Sequence, residues 1–237
     1  MQSIHTLSLA LLISSAAWAL PSFPVIFQDQ LDSQNSSDVI GDPNLFEIDY
    51  LKLAGINGNT LQVDIRFNFG GGAGLTPFNI GGSFPTLSVG DLIFRTPANR
   101  YAFILGSHNG LAANGLYQIT GTQTAQTVLG SPSGSYRPNA EVWASATGAQ
   151  LLSTGSSSIA TVNGNSTNLL ASLYLPLTSN MLADLNNGFD VYFASATCGN
   201  DEVTGTVPPT GVPEPGTWAM LGAGLAAIGC YRRKGAY

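Results

Sequence analysis

The sequence predicts an all-β domain, an antiparallel β-sandwich of jelly-roll-like type, and two observations carry that expectation. In Leu61-Gln62-Val63-Asp64-Ile65-Arg66-Phe67-Asn68-Phe69 every odd position is apolar and every even one polar. A strict period of two marks a strand with one buried and one wet face. The second observation is composition: 237 residues contain 28 glycines and 13 prolines but only 9% charged residues. That mixture disfavours helices and suits short strands joined by many turns.

The remaining elements follow from the same pattern. Residues 45–53 place Phe46, Ile48 and Tyr50 on one face, and Asn57-Gly58-Asn59 then supplies a turn that tolerates positive φ. The two apolar stretches therefore read as an antiparallel hairpin. Further strands are expected over 87–94, 101–105, 116–120, 140–144, 158–162, 169–177 and 189–197, with one short helix over 179–185 capped by Ser179. The glycine-rich run 70–74 lacks Gly-x-Gly-x-x-Gly spacing and no helix follows it, so it is not a phosphate loop. No internal repeat is present, which excludes propellers and solenoids. Residues 203–216, rich in Thr, Gly and Pro, read as an extended spacer.

Charge narrows the partners. Between residues 20 and 212 only Lys52, Arg66, Arg95, Arg100 and Arg137 oppose thirteen acids. No basic stripe exists to neutralise phosphates, so nucleic acid is excluded as a partner. The two cysteines, Cys198 and Cys230, supply neither a disulfide framework nor a cysteine zinc site. Cys198 reads as a small buried hydrophobe at the end of the 189–197 strand, with a free reactive thiol as the other reading.

No catalytic constellation is legible. His108, the single histidine of the body, falls in Ser107-His108-Asn109-Gly110 and reads as a loop residue, with no nucleophile elbow to serve. Asp64, Asp91, Glu141 and Asp190 are the acids from which a glycosidase pair would have to come; Asp64, on a polar strand face, reads as a solvated charge. Candidate calcium ligands are Asn200, Asp201 and Glu202, with Asp38, Asp42, Glu47 and Asp49 as a second acidic patch, neither having EF-hand spacing. No other cofactor is expected. Trp143, the lone tryptophan of the body, is the candidate for stacking on a sugar, against a core role.

The two ends carry the clearest signals. An apolar run over 7–18 followed by Ala17-Trp18-Ala19 matches a signal peptide cut after Ala19, although residues 1–6 contain neither Lys nor Arg. At the other end Pro213-Glu214-Pro215 precedes an apolar segment, 218–231, and the basic stop Arg232-Arg233-Lys234. Motif, apolar helix and basic stop in that order resemble the PEP-CTERM tail that exosortases recognise. Fourteen helical residues span about 21 Å, short of a ~30 Å hydrocarbon core, so the helix suits a transient membrane anchor better than a permanent one. Arg232, Arg233 and Lys234 would hold its end in the cytoplasm.

The expected organisation is thus a signal peptide (1–19), a β-sandwich ectodomain (20–202), a linker with the Pro-Glu-Pro motif (203–216) and a transmembrane sorting tail (217–237). Three body segments, Ser88-Val89-Gly90-Asp91-Leu92-Ile93-Phe94, Gly115-Leu116-Tyr117 and Cys198-Gly199-Asn200-Asp201-Glu202, resemble those of other PEP-CTERM ectodomains. Those are β-sandwiches loosely similar to carbohydrate-binding modules. The resemblance implies a chain processed by signal peptidase and exosortase, held by its tail and then placed at the cell surface or outside, in a polysaccharide matrix. The expected function is a surface or biofilm-matrix protein without catalysis; the alternatives are a carbohydrate-binding module for exopolysaccharide and a secreted glycoside hydrolase.

Overall fold

The alternation at 61–69 becomes a strand that buries Leu61, Val63, Ile65 and Phe67 and pairs on both sides. The computed structural model describes residues 23–29, 39–70, 75–81, 85–132 and 134–210. The expected signal peptide, Asp38, Cys230, Pro213, Glu214, Pro215 and the stop at Arg232, Arg233 and Lys234 lie outside the described residues. Within the described residues the protein is mostly β, with antiparallel sheets and few helices.

In chain order the first elements are β1 (Val25–Gln28), α1 (Pro43–Phe46), β2 (Ile48–Asn57) and β3 (Thr60–Phe67). After them come β4 (Leu92–Arg95), β5 (Arg100–Phe103), β6 (Gly115–Ile119), β7 (Thr122–Thr124), α2 (Ala125–Leu129) and β8 (Glu141–Ala144). The chain continues through β9 (Gln150–Thr154), β10 (Ser156–Val162), β11 (Asn165–Pro176) and α3 (Ser179–Asn186) to β12 (Phe189–Ala194) and β13 (Glu202–Val207).

Five strands form one sheet in the order β1-β2-β3-β11-β10, and six form a second, β13-β12-β4-β5-β6-β9. Their facing sides share one core. Leu51, Val63, Ile65, Phe67 and Leu173 of the first sheet meet Phe94, Phe103, Leu116, Val191 and Phe193 of the second, and the Phe67 and Phe193 rings meet edge to face at 5.7 Å. Each such fully buried side chain contributes about 1.5–3 kcal/mol. This is the arrangement expected of an all-β sandwich. Consecutive strands run as meanders within each sheet, β1-β2-β3 and β4-β5-β6. That is a plainer order than the alternation between sheets implied by a jelly roll.

A short third layer lies on the outside of the second sheet. β7 and β8 pair with each other, and with α2 they bury two small apolar clusters against it. One gathers Ile93, Val142, Tyr192 and Ala194, the other Ala102, Ile104, Tyr117 and Ile119.

Several expectations shift. Of the 87–94 stretch only its end is strand, because Leu87 pairs by an isolated bridge with Phe78 instead. The expected strand 189–197 stops at Ala194, and Cys198 lies in the connection to β13. Residues 203–207, expected to begin the spacer, instead form β13 with Glu202, along the whole of β12. The helix after β11 is capped by Thr178, not Ser179, its hydroxyl accepting from the Met181 amide. Asp64 is not a freely solvated charge: it is nearly buried, with Gln62 and Ser172 donating to it and Lys52 at 3.8 Å.

The strand assignment has a direct test. Ile65 is fully buried, whereas Arg66 lies on the outer face against Asp49 at 2.6 Å, both half-exposed. Ile65→Asp should destabilise by about 3–5 kcal/mol as an unpaired buried charge. Arg66→Asp should cost only about 1 kcal/mol. Urea unfolding of both variants checks this, and equal costs would refute the assignment of faces.

Candidate functional site

Of the buried polar side chains, Asp91, His108, Ser195, Thr197, Asn200 and Asp201 lie at the second sheet, its outer layer or the connection 195–201. His108 lies in the connection between β5 and β6, as a loop residue, but it does not face solvent. Its ring is buried, with Nε2 2.8 Å from Asp91 Oδ2, and stacks on Trp143 at 4.2 Å with the planes 2° apart. Asp91 is fully buried at the entrance to β4; its Oδ2 also accepts from the Ala144 amide, and its own amide donates to the Val142 carbonyl. The carboxylate therefore binds three segments together: the start of β4, the His108 turn and β8. Burial pushes the Asp91 carboxyl up, while His108 and the backbone amides of Ala144 and Leu105 pull against it. Trp143 uses one ring face on His108 and its indole N–H on the Val89 carbonyl, 3.2 Å away.

The calcium candidates separate. Asp201 is fully buried, and its Oδ2 accepts from the Ile48 amide at 2.6 Å while Oδ1 accepts from the Glu202 amide at 2.8 Å. Arg137 lies 3.9 Å from Oδ1. The Glu202 carboxylate instead receives the Tyr192 hydroxyl at 2.6 Å, and Asn200 is buried beside them with its backbone carbonyl accepting from Ile40. Of the second patch, Asp42 holds the turn into α1 through Asn44, and Asp49 pairs with Arg66. No group of three or more His, Cys, Asp or Glu placed to hold a metal ion occurs among the described residues.

Between β8, β12 and the 136–140 segment lies an open cleft of about 420 Å³ lined by Arg95, Tyr136, Arg137, Glu141, Tyr192 and Glu202. Arg95 reaches Glu141 at 2.7 Å and lies 5.2 Å from the Tyr192 ring centroid. Burial alone would push the Glu141 carboxyl up. Hydrogen bonds from Arg95 and Thr122 and the charges of Arg95 and Arg100 outweigh it, so its pKa falls below the usual 4.5. Burial and the Glu202 carboxylate push the Tyr192 phenol above its ordinary range. Two tyrosines, two guanidiniums and two carboxylates line this cleft. Of the glycosidase candidates only Glu141 lines it, since Asp64 is on the other sheet, Asp91 is buried beneath β8, and Asp190 takes the Thr206 hydroxyl.

Sequence reading singled out Trp143 and Asp201 but not the partners that fix them. Asp91 and His108 are 17 residues apart, and Asp201 and Ile48 are 153 apart, so only the fold brings them together. One local signal was available: an acid embedded in the apolar run 87–94 is a candidate for a buried, paired role.

A family model described as the PEP-CTERM protein-sorting motif matches residues 211–234. The match takes in Pro213, Glu214 and Pro215 together with Arg232, Arg233 and Lys234. The C-terminal tail is thus a PEP-CTERM sorting motif, which marks an exosortase-targeted, exported surface protein. No curated protein and no solved structure matches the chain. No helix among the described residues is long and apolar enough to cross a membrane.

Two outcomes follow from these environments. Burial pushes the Cys198 thiol up to about 12. At neutral pH native protein should therefore react with a thiol reagent far more slowly at Cys198 than denatured protein does. Peptide mapping after timed labelling reads this, and rapid native labelling at that residue would refute its burial. For Glu141 the folded pKa lies below the unfolded value, so its stabilisation is present above pH 4.5 and is lost as pH falls through the folded pKa. The gap in melting temperature between wild type and Glu141→Gln should be widest above pH 4.5 and close in acid; a gap that widens in acid contradicts the Arg95 pairing.

Proposed function

We propose that this protein is a non-catalytic component of the cell surface or extracellular matrix. It is exported behind a signal peptide cut after Ala19, held at the membrane by the apolar helix of its tail, and processed at Pro213-Glu214-Pro215. The single observation that carries the reading is the sorting motif at 211–234. The fold supports the non-catalytic part through the use of its buried acids. Asp91 and Asp201 are engaged by backbone amides and by His108 or Arg137, which is the pattern of structural ties.

A second reading has its own support. The cleft sets the partly exposed Tyr136 beside the fixed hydrogen-bonding groups of Arg95, Arg137 and Glu141, a combination by which proteins hold sugars, and this favours a carbohydrate-binding module. A glycoside hydrolase would need a second acid beside Glu141; Glu202, the other carboxylate lining the cleft, is engaged by Tyr192.

The sorting reading is tested by intact-mass measurement of the protein from exosortase-competent cells. The mature species should begin at Leu20 and lack residues 218–237. A mass that retains the apolar tail would replace sorting by permanent anchoring.

A further inference from the structure

The two long sides of the sandwich are finished differently. On one side β1 and β13 meet: Phe27 lies against Gly205, where any Cβ would overlap its ring. On the other side β9 and β10 are the last strands of their sheets. The chain passes from one to the other at Gly155, packed so closely on the Tyr174 carbonyl that a Cβ would overlap it. Residues 150–162 thus form one continuous edge running along both sheets, and no strand pairs with its outer side among the described residues.

Natural edge strands are guarded by lysine, proline, bulges or cover, because a bare row of backbone donors and acceptors templates another strand. This edge has little of that protection. Residues 150–162 contain no Asp, Glu, Lys, Arg or Pro, and no charged residue occurs anywhere from 142 to 183. The only shift in the β10–β11 register is at Thr161/Val162, the far end, so 156–161 pair regularly. Leu152 and Ile159 pack against the main core from this side yet are only partly buried, and Leu151 is 52% exposed.

Charge says what fits there. Five basic residues against thirteen acidic ones between 20 and 212 leave each copy net negative, so that two copies repel each other as a whole. The edge at 150–162 adds no charge of its own to that repulsion. An antiparallel pairing of β10 with itself about a two-fold is self-complementary. Centred on Ile159, it sets Ser158 opposite Ala160 and Ser157 opposite Thr161, all short and uncharged.

We propose that this edge, chiefly β10, pairs antiparallel with the same edge of a second copy, joining the two five-stranded sheets into one and covering Ile159. Sedimentation velocity on the full chain in mild detergent tests it. Wild type should be dimeric across the micromolar range. Ser158→Lys and Ala160→Lys, both at exposed positions of β10, should each raise the dimer dissociation constant by about tenfold or more, since each puts a lysine into the pairing edge and sets it diagonally across the two-fold from its own copy. Thr206→Lys, exposed on the opposite edge, should leave it unchanged, and circular dichroism of all three should match wild type. A monomeric wild type, or a dimer indifferent to both β10 lysines, overturns the proposal. Should the lysine variants unfold, Ser158→Cys in a Cys230→Ala background must cross-link between copies through a short bismaleimide; failure to do so equally overturns it.

Discussion

The fold depends on one buried carboxylate. Asp201 is fully excluded from water, a position that costs several kcal/mol for a charge unless its oxygens are satisfied. They are satisfied by the first amide of β2 in one sheet and the first amide of β13 in the other, with Arg137 beyond them. The connection 195–201 must therefore follow a narrow course. Ser195 donates to the Asp201 carbonyl, Thr197 to Ser88, Arg137 to Cys198, and Ile40 to Asn200. The burial of Cys198 and Asn200 follows from the same anchoring. Cys198 is the small side chain that fits where the loop is drawn inward, and the shifted thiol is a consequence of that packing.

Asp91 is a second buried tie, made through Oδ2 alone. It takes the Ala144 amide and the His108 ring, and so fixes the outer layer of β7, β8 and α2 on the second sheet. The chain has only 9% charged residues, and two of its acids are buried as ties between segments distant in the sequence. Breaking one partner of such a tie leaves the other buried and unpaired, so these acids resist substitution for structural reasons alone. An acid's presence in this sequence is correspondingly weak support for metal binding or catalysis, and the open cleft at Arg95, Glu141 and Tyr192 is one place where charged groups line an opening at the surface.

What was legible in the sequence was local. The strict alternation at 61–69, the turn at 57–59 and the short helix before β12 could be read because hydrophobic period and turn chemistry are properties of neighbouring residues. The sorting tail was legible for the same reason. β13 was not: Glu-Val-Thr-Gly-Thr-Val, followed by two prolines, has the composition of a spacer and becomes a strand only by pairing with β12. β9, with Leu151-Leu152 side by side instead of alternating, was equally silent. Strand order lies beyond periodicity altogether, which is why meanders stand where a jelly roll was expected. The ties of Asp91 and Asp201 span 17 and 153 residues, and no spacing rule reaches across such separations.

These constraints also explain why the two sides of the sandwich differ. Where β1 meets β13, the glycine at 205 admits Phe27, and the sheets close on each other through side-chain packing. Where β9 runs into β10, the chain itself makes the crossing, and Gly155 allows the strand to turn without leaving the edge. A crossing of that kind seals the sheets to each other but cannot satisfy the outward backbone groups of the last strand. A sandwich anchored by interior acids has no need of charged residues along that edge for its own stability, and none occurs there. The net negative charge of the chain and the lack of charge along this one edge therefore favour the same side of the molecule for the proposed association as the unpaired backbone does.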